Sequence, residues 1–519
     1  MKLRSYIYAA ALMAVFSSCE AWIEETNYVK FTQEKGYQIK EEVTAGLYGM
    51  YTLLNTSHLY GGVTIRSLAD NASDCFRNTN GVNEWSGYKF VATSNHVRNW
   101  WQGNYSLINA ANAIIKNVDS CPDQALTEDE RIQFKAEAKF FRALGYFNLV
   151  RAYGRVPLIL YNATDVSEVT YPYRSDLSEI YSLIVSDLED GIRFLDVMNG
   201  RQSGRITRGS AAGLLAKVYL TRGYSEAAED TDFSNAVKYC EKIMLGQYGS
   251  YALLPNYGDV FSPDNEGNAE LLFYVTFDLL PNTPSTIIKA YSPASYYPIV
   301  SAGAPFAPYT LVNSYDKTYD KRFKYGFMDK HPETGAWLMN DHRTFFCKFK
   351  DDNKTDSGED RCDFPVLRYS DILLIHSEAM HSGHIAVSPN GFDKYYGINQ
   401  VRGRAREEGA PADCKIADLN DSNLSDDFLN VILQERAWEL NCEGQRRWDL
   451  IRTGKLEEIM TSYFAMEGNE SLAACEIRPE HILFPMPQQE VDTNPNLVPP
   501  GETNNGYLIS SGGGDIDEQ

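Results

Sequence analysis

Residues 134–157 read FKAEAKFFRALGYFNLVRAYGRVP, and this stretch decides the class of fold. Apolar side chains recur in it every three or four positions, at Phe134, Ala138, Phe141, Leu144 and Phe147. That period places the five side chains on one face of an α-helix, so the stretch predicts an amphipathic helix with a buried face.

The same stretch indicates how this helix packs and where it ends. The small residues Ala138 and Gly145 would let a second helix approach closely. Gly154 and Pro157 follow the last apolar turn, and these two residue types stop a helix. We therefore expect a tightly packed helix that ends just before a sharp change of chain direction.

Other parts of the chain repeat the helical period. These blocks lie at about 176–195, 208–222, 233–245, 366–382 and 392–404. The first begins with Asp176 and has Glu179 three residues later, the pattern of a capping box. The second and third together occupy about 38 residues, close to the helix–turn–helix period of a tetratricopeptide repeat. The sequence therefore predicts a mostly α protein.

One long segment interrupts the helical pattern. Residues 246–364 are rich in Tyr, Pro and Gly and contain short apolar runs such as 271–277. We expect loops and short strands that pack against the helical scaffold. Recognition usually resides in loops that a rigid scaffold positions, so this insert is a candidate for ligand binding.

Composition narrows the class of partner. The chain has 519 residues and a formal net charge of −22, so it has no basic excess to neutralise the phosphates of DNA or RNA. We therefore expect no nucleic-acid partner. Aromatic residues make up 13% of the chain, with 34 Tyr, which is more than a core needs and leaves some for a binding surface.

The N-terminus reads as an export signal. Lys2 and Arg4 precede a short apolar stretch, which is too short to span a bilayer, and Ser17, Ser18 and Cys19 follow it. A Cys after two small residues resembles the bacterial lipobox, in which the Cys becomes a lipidated N-terminus. This predicts a signal peptide over residues 1–18 and a lipid anchor on Cys19; the alternative is an ordinary secretory signal.

Eight cysteines remain after Cys19, and they have no CxxC spacing. A zinc site or a dense disulfide framework is therefore not expected. Cys347 and Cys362 bracket an acidic loop and would form a disulfide if that loop is a hairpin. The other cysteines have the character of small buried apolar residues.

Several blocks, in order along the chain, resemble the SusD/RagB family of Bacteroidetes surface lipoproteins. They are WWxxxYSLINAAN at 100–112, the opening stretch at 134–157, RYSDILLIHSEA at 368–379, ERAWELNCEGQRRWDLIR at 435–452 and FPMPxxEVDxNPNL at 484–497. The acidic start at Glu20, Glu24 and Glu25 resembles the surface-export signal of such lipoproteins.

The resemblance implies a single, mostly α domain over residues 19–519. In this family four tetratricopeptide-like helix pairs form a scaffold, here at about 95–245 and 365–455. A loop-rich half, here mainly the insert at about 246–364, carries the ligand, and a family segment lies at 480–507.

The resemblance also implies a function without catalysis or a cofactor. The protein would sit on the extracellular face of the outer membrane as a hinged lid over a SusC-like TonB-dependent transporter. There it would capture an oligosaccharide and deliver it. The alternatives are capture of peptides, as in the RagB branch, and a secreted α-helical glycoside hydrolase.

The hydrolase alternative rests on Glu435, Glu439 and Glu443, which are spaced for one helical face. We favour an ion-pair ladder with Arg436, Arg446 and Arg447, because neighbouring Arg residues lower carboxylate pKa values, the opposite of what a general acid needs. No metal site is expected either: His376 and His381 are five residues apart, where one helix face requires four.

Two segments have the composition of a sugar-binding surface, because flat aromatic rings stack on sugar faces while amides bind hydroxyls. The segment 71–90 supplies Asn83, Trp85 and Tyr88. The segment 291–337 supplies Tyr291, Tyr296, Tyr297, Tyr309 and Trp337. We predict that the glycan-binding residues come from these two segments.

The lipid anchor gives the first testable prediction. Cys19→Ala removes the only thiol of the signal region, so the variant should be released from the membrane fraction, while the wild type stays with it. Fractionation of cells followed by immunoblotting measures this. A Cys19→Ala variant that still partitions with the outer membrane would contradict the lipobox interpretation.

Overall fold

A computed structural model gives the fold of the chain. It describes residues 37–78, 81–122, 124–160, 171–197, 204–278, 284–292, 305–355, 358–424 and 426–507. Cys19, Tyr296 and Tyr297 lie outside the described residues.

The longer helices are labelled here in chain order. They are α1 Lys40–Leu54, α2 Asn95–Asn117, α3 Glu128–Tyr153, α4 Leu177–Phe194, α5 Arg208–Arg222, α6 Asp232–Met244, α7 Tyr369–Ser382, α8 Lys394–Ala405, α9 Phe428–Glu439, α10 Arg446–Arg452 and α11 Leu456–Met466. Shorter helices span Val63–Ile65, which continues as a π-helix over Arg66–Asn71, and Ile287–Tyr291, Tyr309–Ser314, Lys321–Gly326, Glu470–Ala473 and Gln488–Thr493. Short 3₁₀ turns occupy Val118–Ser120, Tyr257–Val260, Pro263–Asn265, Pro479–Ile482 and Pro495–Leu497.

Helix α3 is the opening stretch of the sequence analysis, and the prediction of a helix there is confirmed. Its N-terminus is a capping box in which Thr127 accepts from the backbone of Glu130. It ends at Gly154, whose φ of 71° suits glycine. A Cβ on Gly145 would lie 2.8 Å from Ile108 of α2, so the small residue does allow the close approach expected.

Helix α3 is buried on more than one face. It packs on α2 along one side and on α4 along another, and several of its polar side chains, including Arg142 and Asn148, are buried. Arg142 forms two hydrogen bonds with Asp187 of α4, at 2.7 and 2.8 Å. Asn148 donates to Asn104 of α2 at 3.0 Å. Apolar spacing could not predict this burial. Polar residues that pair with one another in the core have the same sequence pattern as polar residues at the surface.

The helices from α2 to α8 form one continuous array. Each packs chiefly on the next in chain order, and α7 joins α6 although the insert separates them in sequence. Helices α5 and α6 pack on one another as expected for a pair, while their likeness to tetratricopeptide repeats stays a prediction.

The strands are short, and all pair antiparallel. Strand β1 Arg77–Asn78 pairs with β3 Pro305–Phe306, β2 Leu271–Val275 with β6 Phe364–Arg368, and β4 Phe327–Met328 with β5 Phe345–Phe346. Because β2 and β6 lie near the two ends of the insert, their pairing brings those ends together beside α5.

Two local predictions were wrong. Residues 366–368 belong to β6, and helix α7 begins only at Tyr369, because the apolar run is buried as a strand first. Helix α4 begins after Asp176 as predicted, but no side-chain cap forms there. The Asp176 carboxylate instead pairs with Arg155 at 2.9 Å.

The predicted glutamate ladder is a three-dimensional cluster, which we call the charge cluster. Its cations are Arg322, Lys348, Arg368 and Arg404, and its carboxylates are Glu270, Asp320, Glu435, Glu439 and Glu443. All nine are buried. The predicted partners were wrong: Arg436 pairs with Asp371 and Asp449, and Arg446 pairs with Asp74. Arg447 donates to the carbonyl of His481.

Arg368 is the centre of the charge cluster. Its guanidinium donates to both carboxylate oxygens of Glu443 at 2.8 Å, to Glu270 at 2.6 Å and to Glu439 at 3.0 Å. Arg322, from the insert, donates to Glu435 at 2.6 Å and Glu439 at 3.2 Å. The cluster therefore ties β6 and the insert to α9 and the turn after it.

The cysteines of the described residues are free. Cys347 and Cys362 are both buried, and no disulfide joins them; the Cys347 thiol donates to the carbonyl of Tyr325 at 3.2 Å. No helix in the described part of the chain is both long and apolar enough to cross a membrane.

The charge cluster predicts a large effect on stability. Arg368→Met leaves Glu270 and Glu443 buried with fewer cations, so we expect the free energy of unfolding to fall by about 3–5 kcal/mol. Lys324→Met breaks only an exposed pair with Glu407 and should cost about 1 kcal/mol or less. Urea unfolding of both variants measures this, and equal losses would contradict a structural role for Arg368.

Candidate functional site

The structure brings the two aromatic-rich segments together. Arg77 of the first segment pairs with Phe306 of the second, in the β1–β3 ribbon. Below this ribbon the Tyr291 hydroxyl donates to the buried carboxylate of Asp70 at 2.6 Å. The two segments are far apart in sequence, so pairing of β1 with β3 is what makes them neighbours.

Trp85 and Tyr88 lie in the core. Trp85 is 4% exposed and stacks on Phe90 with ring centroids 5.6 Å apart. Tyr88 is 2% exposed, and its hydroxyl donates to the carbonyl of Ala72 at 2.7 Å. Protein covers both rings in this conformation, so they offer no face to a ligand. Their contact with a glycan stays a prediction.

Asn83 and Tyr291 also have structural partners. The side-chain oxygen of Asn83 accepts from the backbone of Trp85 and Ser86, both at 2.9 Å, and so holds a turn. Tyr291 is 2% exposed and packs edge-on against Phe76 at 5.9 Å. Both side chains therefore have partners within the protein, and their contact with a glycan stays a prediction.

Trp337 is a predicted residue that the structure exposes. It is 43% exposed and lies in the hairpin between β4 and β5. Its ring stacks on His342, with centroids 3.9 Å apart, and the Lys330 ammonium lies 4.4 Å from the ring centroid. These contacts hold the indole in place at the surface.

The hairpin and the β1–β3 ribbon form one surface, which we call the ribbon surface. Phe306, Leu338 and Phe345 pack together beneath it. Two guanidinium groups flank the Phe306 ring, that of Arg77 at 5.1 Å and that of Arg343 at 4.6 Å. The ribbon surface therefore carries the exposed ring of Trp337 and, over the buried Phe306, the guanidinium groups of Arg77 and Arg343.

Glu467 joins the ribbon surface to the neighbouring helices. It follows α11, accepts from Arg77 at 2.9 Å and from the backbone and hydroxyl of Thr310 at 2.7 and 2.8 Å. Next to these contacts, Tyr309 is 68% exposed and Met466 is 63% exposed. The two form an apolar rim beside the ribbon surface.

Behind this rim lies a large open groove of about 1380 Å³. Its walls are the helix Tyr309–Ser314, the segment 412–434 and helix α11. Trp438 of α9 donates to the hydroxyl of Ser314 at 2.8 Å and so fixes the first wall. Lining residues with polar side chains include Asp74, Asn313, Asn430, Gln434 and Tyr463.

An ion pair lies on the groove lining. Asp74 receives two hydrogen bonds of 2.7 Å from Arg446, which also donates to the carbonyl of Leu433. Beside it, burial raises the pKa of Tyr463 well above its usual range, so its hydroxyl keeps its proton. That hydroxyl is buried and has no hydrogen-bond partner in the described protein.

The groove residues were missed by sequence reasoning, apart from Tyr309. Most of them come from the segment 412–434 and from α11, which have no aromatic-rich pattern. The folded structure reveals these residues, because they line a concave surface between elements that are distant in the chain. An amphipathic pattern alone could not place them together.

Within the described residues, no group of three or more His, Cys, Asp or Glu side chains is placed to hold a metal ion. His376 is buried and lies 3.2 Å from Glu241, with Phe392 edge-on beside it. These contacts favour a structural role for His376.

Comparison with known proteins gives matches over most of the chain. A model described as the SusD family matches residues 280–507, and a model described as starch-binding, associating with the outer membrane, matches residues 21–220. A curated SusD-like protein from Formosa agariphila is 27% identical over 557 residues, covering 98% of this chain and all of that protein.

Solved structures share the fold. A SusD homologue from Bacteroides thetaiotaomicron has a TM-score of 0.76 at 19% identity, covering 90% of this chain and 97% of that one. A laminarin-binding SusD-like protein has a TM-score of 0.70 at 24% identity, covering 91% of this chain and all of that one.

Asp70, beneath the ribbon surface, predicts a pH dependence. Burial raises its pKa to about 7, against about 3.9 in an unfolded chain. The folded state therefore holds this proton more tightly, and the contribution of Asp70 to stability falls as pH rises from 4 through 7. Relative to Asp70→Asn, the wild type should lose on the order of 2–3 kcal/mol between pH 5 and pH 8.

Urea unfolding of both proteins at the two pH values measures this difference. Asp230→Asn, at an exposed site, is the control and should show no pH-dependent gap from the wild type. A gap between wild type and Asp70→Asn that is the same at pH 5 and pH 8 would show that Asp70 does not titrate in this range.

Proposed function

The chain belongs to the SusD/RagB family, and from that premise we propose that it captures a glycan at the ribbon surface and the adjoining groove. It then delivers the glycan to a SusC-like TonB-dependent transporter, over which it acts as a hinged lid. Cys19 anchors it by lipid to the extracellular face of the outer membrane.

The observation that carries this proposal is the exposure of aromatic rings beside a large groove. Tyr309 and Trp337 are exposed where most of the aromatic side chains of the two segments are buried. A flat ring stacks on the C–H face of a sugar, and nearby amides and guanidinium groups bind its hydroxyls. Asn313 and Gln434 line the groove, and Arg77 lies over Phe306 at the ribbon surface.

Tyr296 and Tyr297 complete the proposed contact set. They belong to the segment that leads into β3 at Pro305, opposite Asn78 of β1. Their place in the proposed contact set rests on the sequence alone.

The relatives support the choice of a glycan. One is described as laminarin-binding, and one matching model as starch-binding. Both ligands are glucose polymers. We extend to this chain only the class, a polysaccharide or oligosaccharide.

We propose no catalysis. A glycosidase needs one carboxyl with a raised pKa to act as the acid. The arginines around Glu439 instead hold its pKa well below the usual range. Glu435, Glu439 and Glu443 are buried in ion pairs, so they are committed to the fold and do not line the groove.

A second candidate function is the capture of peptides. The observation in its favour is a pair of exposed carboxylates on the groove wall, Asp413 and Asp426, which would attract basic side chains. The exposed aromatic rings favour a glycan over a peptide.

Tyr309 tests the location of the site. Tyr309→Ala removes an exposed ring, so we expect little change in stability but a loss of about 1–2 kcal/mol in binding of the best glycan from a panel, which is roughly five- to thirtyfold in Kd. Tyr173→Ala is the matched control, because Tyr173 is 67% exposed and lies outside the groove. Calorimetry that finds equal affinities for the two variants would place the site elsewhere.

A further inference from the structure

A small cavity lies inside the scaffold, and its lining shares no residue with the groove. Its volume is about 20 Å³, and residues of α3, α5, β6 and the turn after α9 surround it. We propose that this cavity binds one small monovalent anion such as chloride, held by Arg151, Lys217 and Tyr60. The inference goes beyond the proposed function, and its test involves no glycan.

Arg151 supplies a positive charge that no carboxylate neutralises directly. Its Nε donates to the carbonyl of Phe147 at 3.3 Å and its Nη2 to the side-chain oxygen of Asn148 at 2.8 Å. Among the described residues, Nη1 has no acceptor and no ion pair includes this guanidinium. Burial lowers the pKa of Arg151, but a guanidinium keeps its proton in proteins. Because an unpaired interior cation is costly, a counter-ion in the cavity would stabilise the fold.

Tyr60 directs a second donor toward the cavity. The side-chain amide of Asn148 lies 3.0 Å from the Tyr60 hydroxyl. Since Arg151 can only donate, the Asn148 atom that it contacts is the oxygen, and the amide nitrogen therefore faces Tyr60. The Tyr60 hydroxyl accepts this bond, and its own proton has no acceptor within the described part of the chain. Tyr60 and Arg151 both line the cavity.

Lys217 is the third donor on the lining. Its ammonium donates to Asp371 at 2.8 Å and to Gln445 at 2.6 Å, and an ammonium has three N–H groups. The third N–H has no acceptor among the residues that the structure describes. Three donors without acceptors on one lining favour an anion as the occupant.

The charges around the cavity differ by one. Asp371 pairs with both Lys217 and Arg436, Asp449 pairs with Arg436 and Arg452, and Glu378 pairs with Arg452. With Arg151, four cations therefore face three carboxylates. The four cations are Arg151, Lys217, Arg436 and Arg452, and the three carboxylates are those of Asp371, Asp449 and Glu378.

Two further carboxylates lie close to the lining. Glu443 lines the cavity, but Arg368 and Lys348 of the charge cluster already bind its carboxylate. Asp70 accepts from the backbone of Gly444, which is also on the lining. Burial raises the pKa of Asp70 to about 7, so most of its population is neutral at pH 6. The test is therefore made at pH 6.

The size of the cavity limits the ion. A cavity of roughly 10–15 Å³ holds one water, so about 20 Å³ has room for one monatomic ion and excludes sulfate, phosphate or a sugar. The rest of the lining is apolar, which suits a weakly hydrated halide. These apolar residues are Ile65, Leu144, Phe147, Leu214, Val366 and Leu367.

The first experiment locates the ion. Crystals of the mature protein are grown at pH 6 in sodium bromide, because bromide scatters X-rays anomalously and water does not. We expect an anomalous peak in the cavity beside the Arg151 guanidinium. Density there without an anomalous signal would make the occupant a water and would overturn the proposal, as would an empty cavity.

The second experiment measures the effect of the anion on stability. A ligand that binds only the folded state raises the midpoint of thermal unfolding as its concentration rises. Sodium chloride replaces sodium gluconate at constant ionic strength, from about 1 to about 300 mM chloride. We expect the midpoint of the wild type to rise by about 2 °C or more over this range.

Variants assign this rise to the cavity, because general salt effects act on all of them alike. Tyr60→Phe removes one donor and keeps the ring, so the rise should fall to about half or less. Tyr251→Phe is its matched control: Tyr251 is buried, its hydroxyl contacts Thr207 at 2.9 Å, and it does not line the cavity. Arg151→Met should abolish the rise, whereas Arg193→Met, at an exposed position of α4, should keep it.

A rise that is equal in the wild type, Tyr60→Phe and Arg151→Met would overturn the anion site. If Arg151→Met does not fold, Tyr60→Phe and the bromide diffraction decide the question. None of these results bears on glycan capture, so the proposed function stands or falls separately.

Discussion

A cluster of buried charges holds together the parts of this protein that are farthest apart in sequence. Arg368, at the end of β6, contacts Glu270 before β2, Glu439 of α9 and Glu443 in the following turn. A buried ion without its partner costs several kcal/mol. Each of these segments is therefore stable in its position only when the others are bound to it. The insert cannot separate from the scaffold without leaving charged side chains exposed or without their ion-pair partners.

The position of the proposed binding surface follows from this constraint. Arg322 and Lys348 bind the insert to α9 and the turn after it, on either side of the hairpin that carries Trp337. The same turn contains Gly444, whose backbone donates to Asp70 beneath the β1–β3 ribbon. Hydrogen bonds and ion pairs below the surface thus hold the aromatic rings in place. This lowers the entropic cost of binding a ligand.

Sequence reasoning recovered the scaffold better than the site. Helices such as α3 were predictable because apolar spacing and terminal Gly and Pro act locally. The two aromatic segments were also found by composition, and they do meet in space. Within them, however, Trp85 and Tyr88 are core residues while Tyr309 and Trp337 are exposed, since burial in loops depends on tertiary contacts. The partners of Glu439 were missed for the same reason: Arg368 and Arg404 reach it from distant segments.

The central claim is that this surface captures a glycan without converting it. The most direct measurement mixes the mature protein with a panel of plant, microbial and host glycans, and follows binding by calorimetry and new reducing ends in the same samples. The account predicts binding to one class of glycan with no increase in reducing ends. New reducing ends from the bound glycan would contradict it.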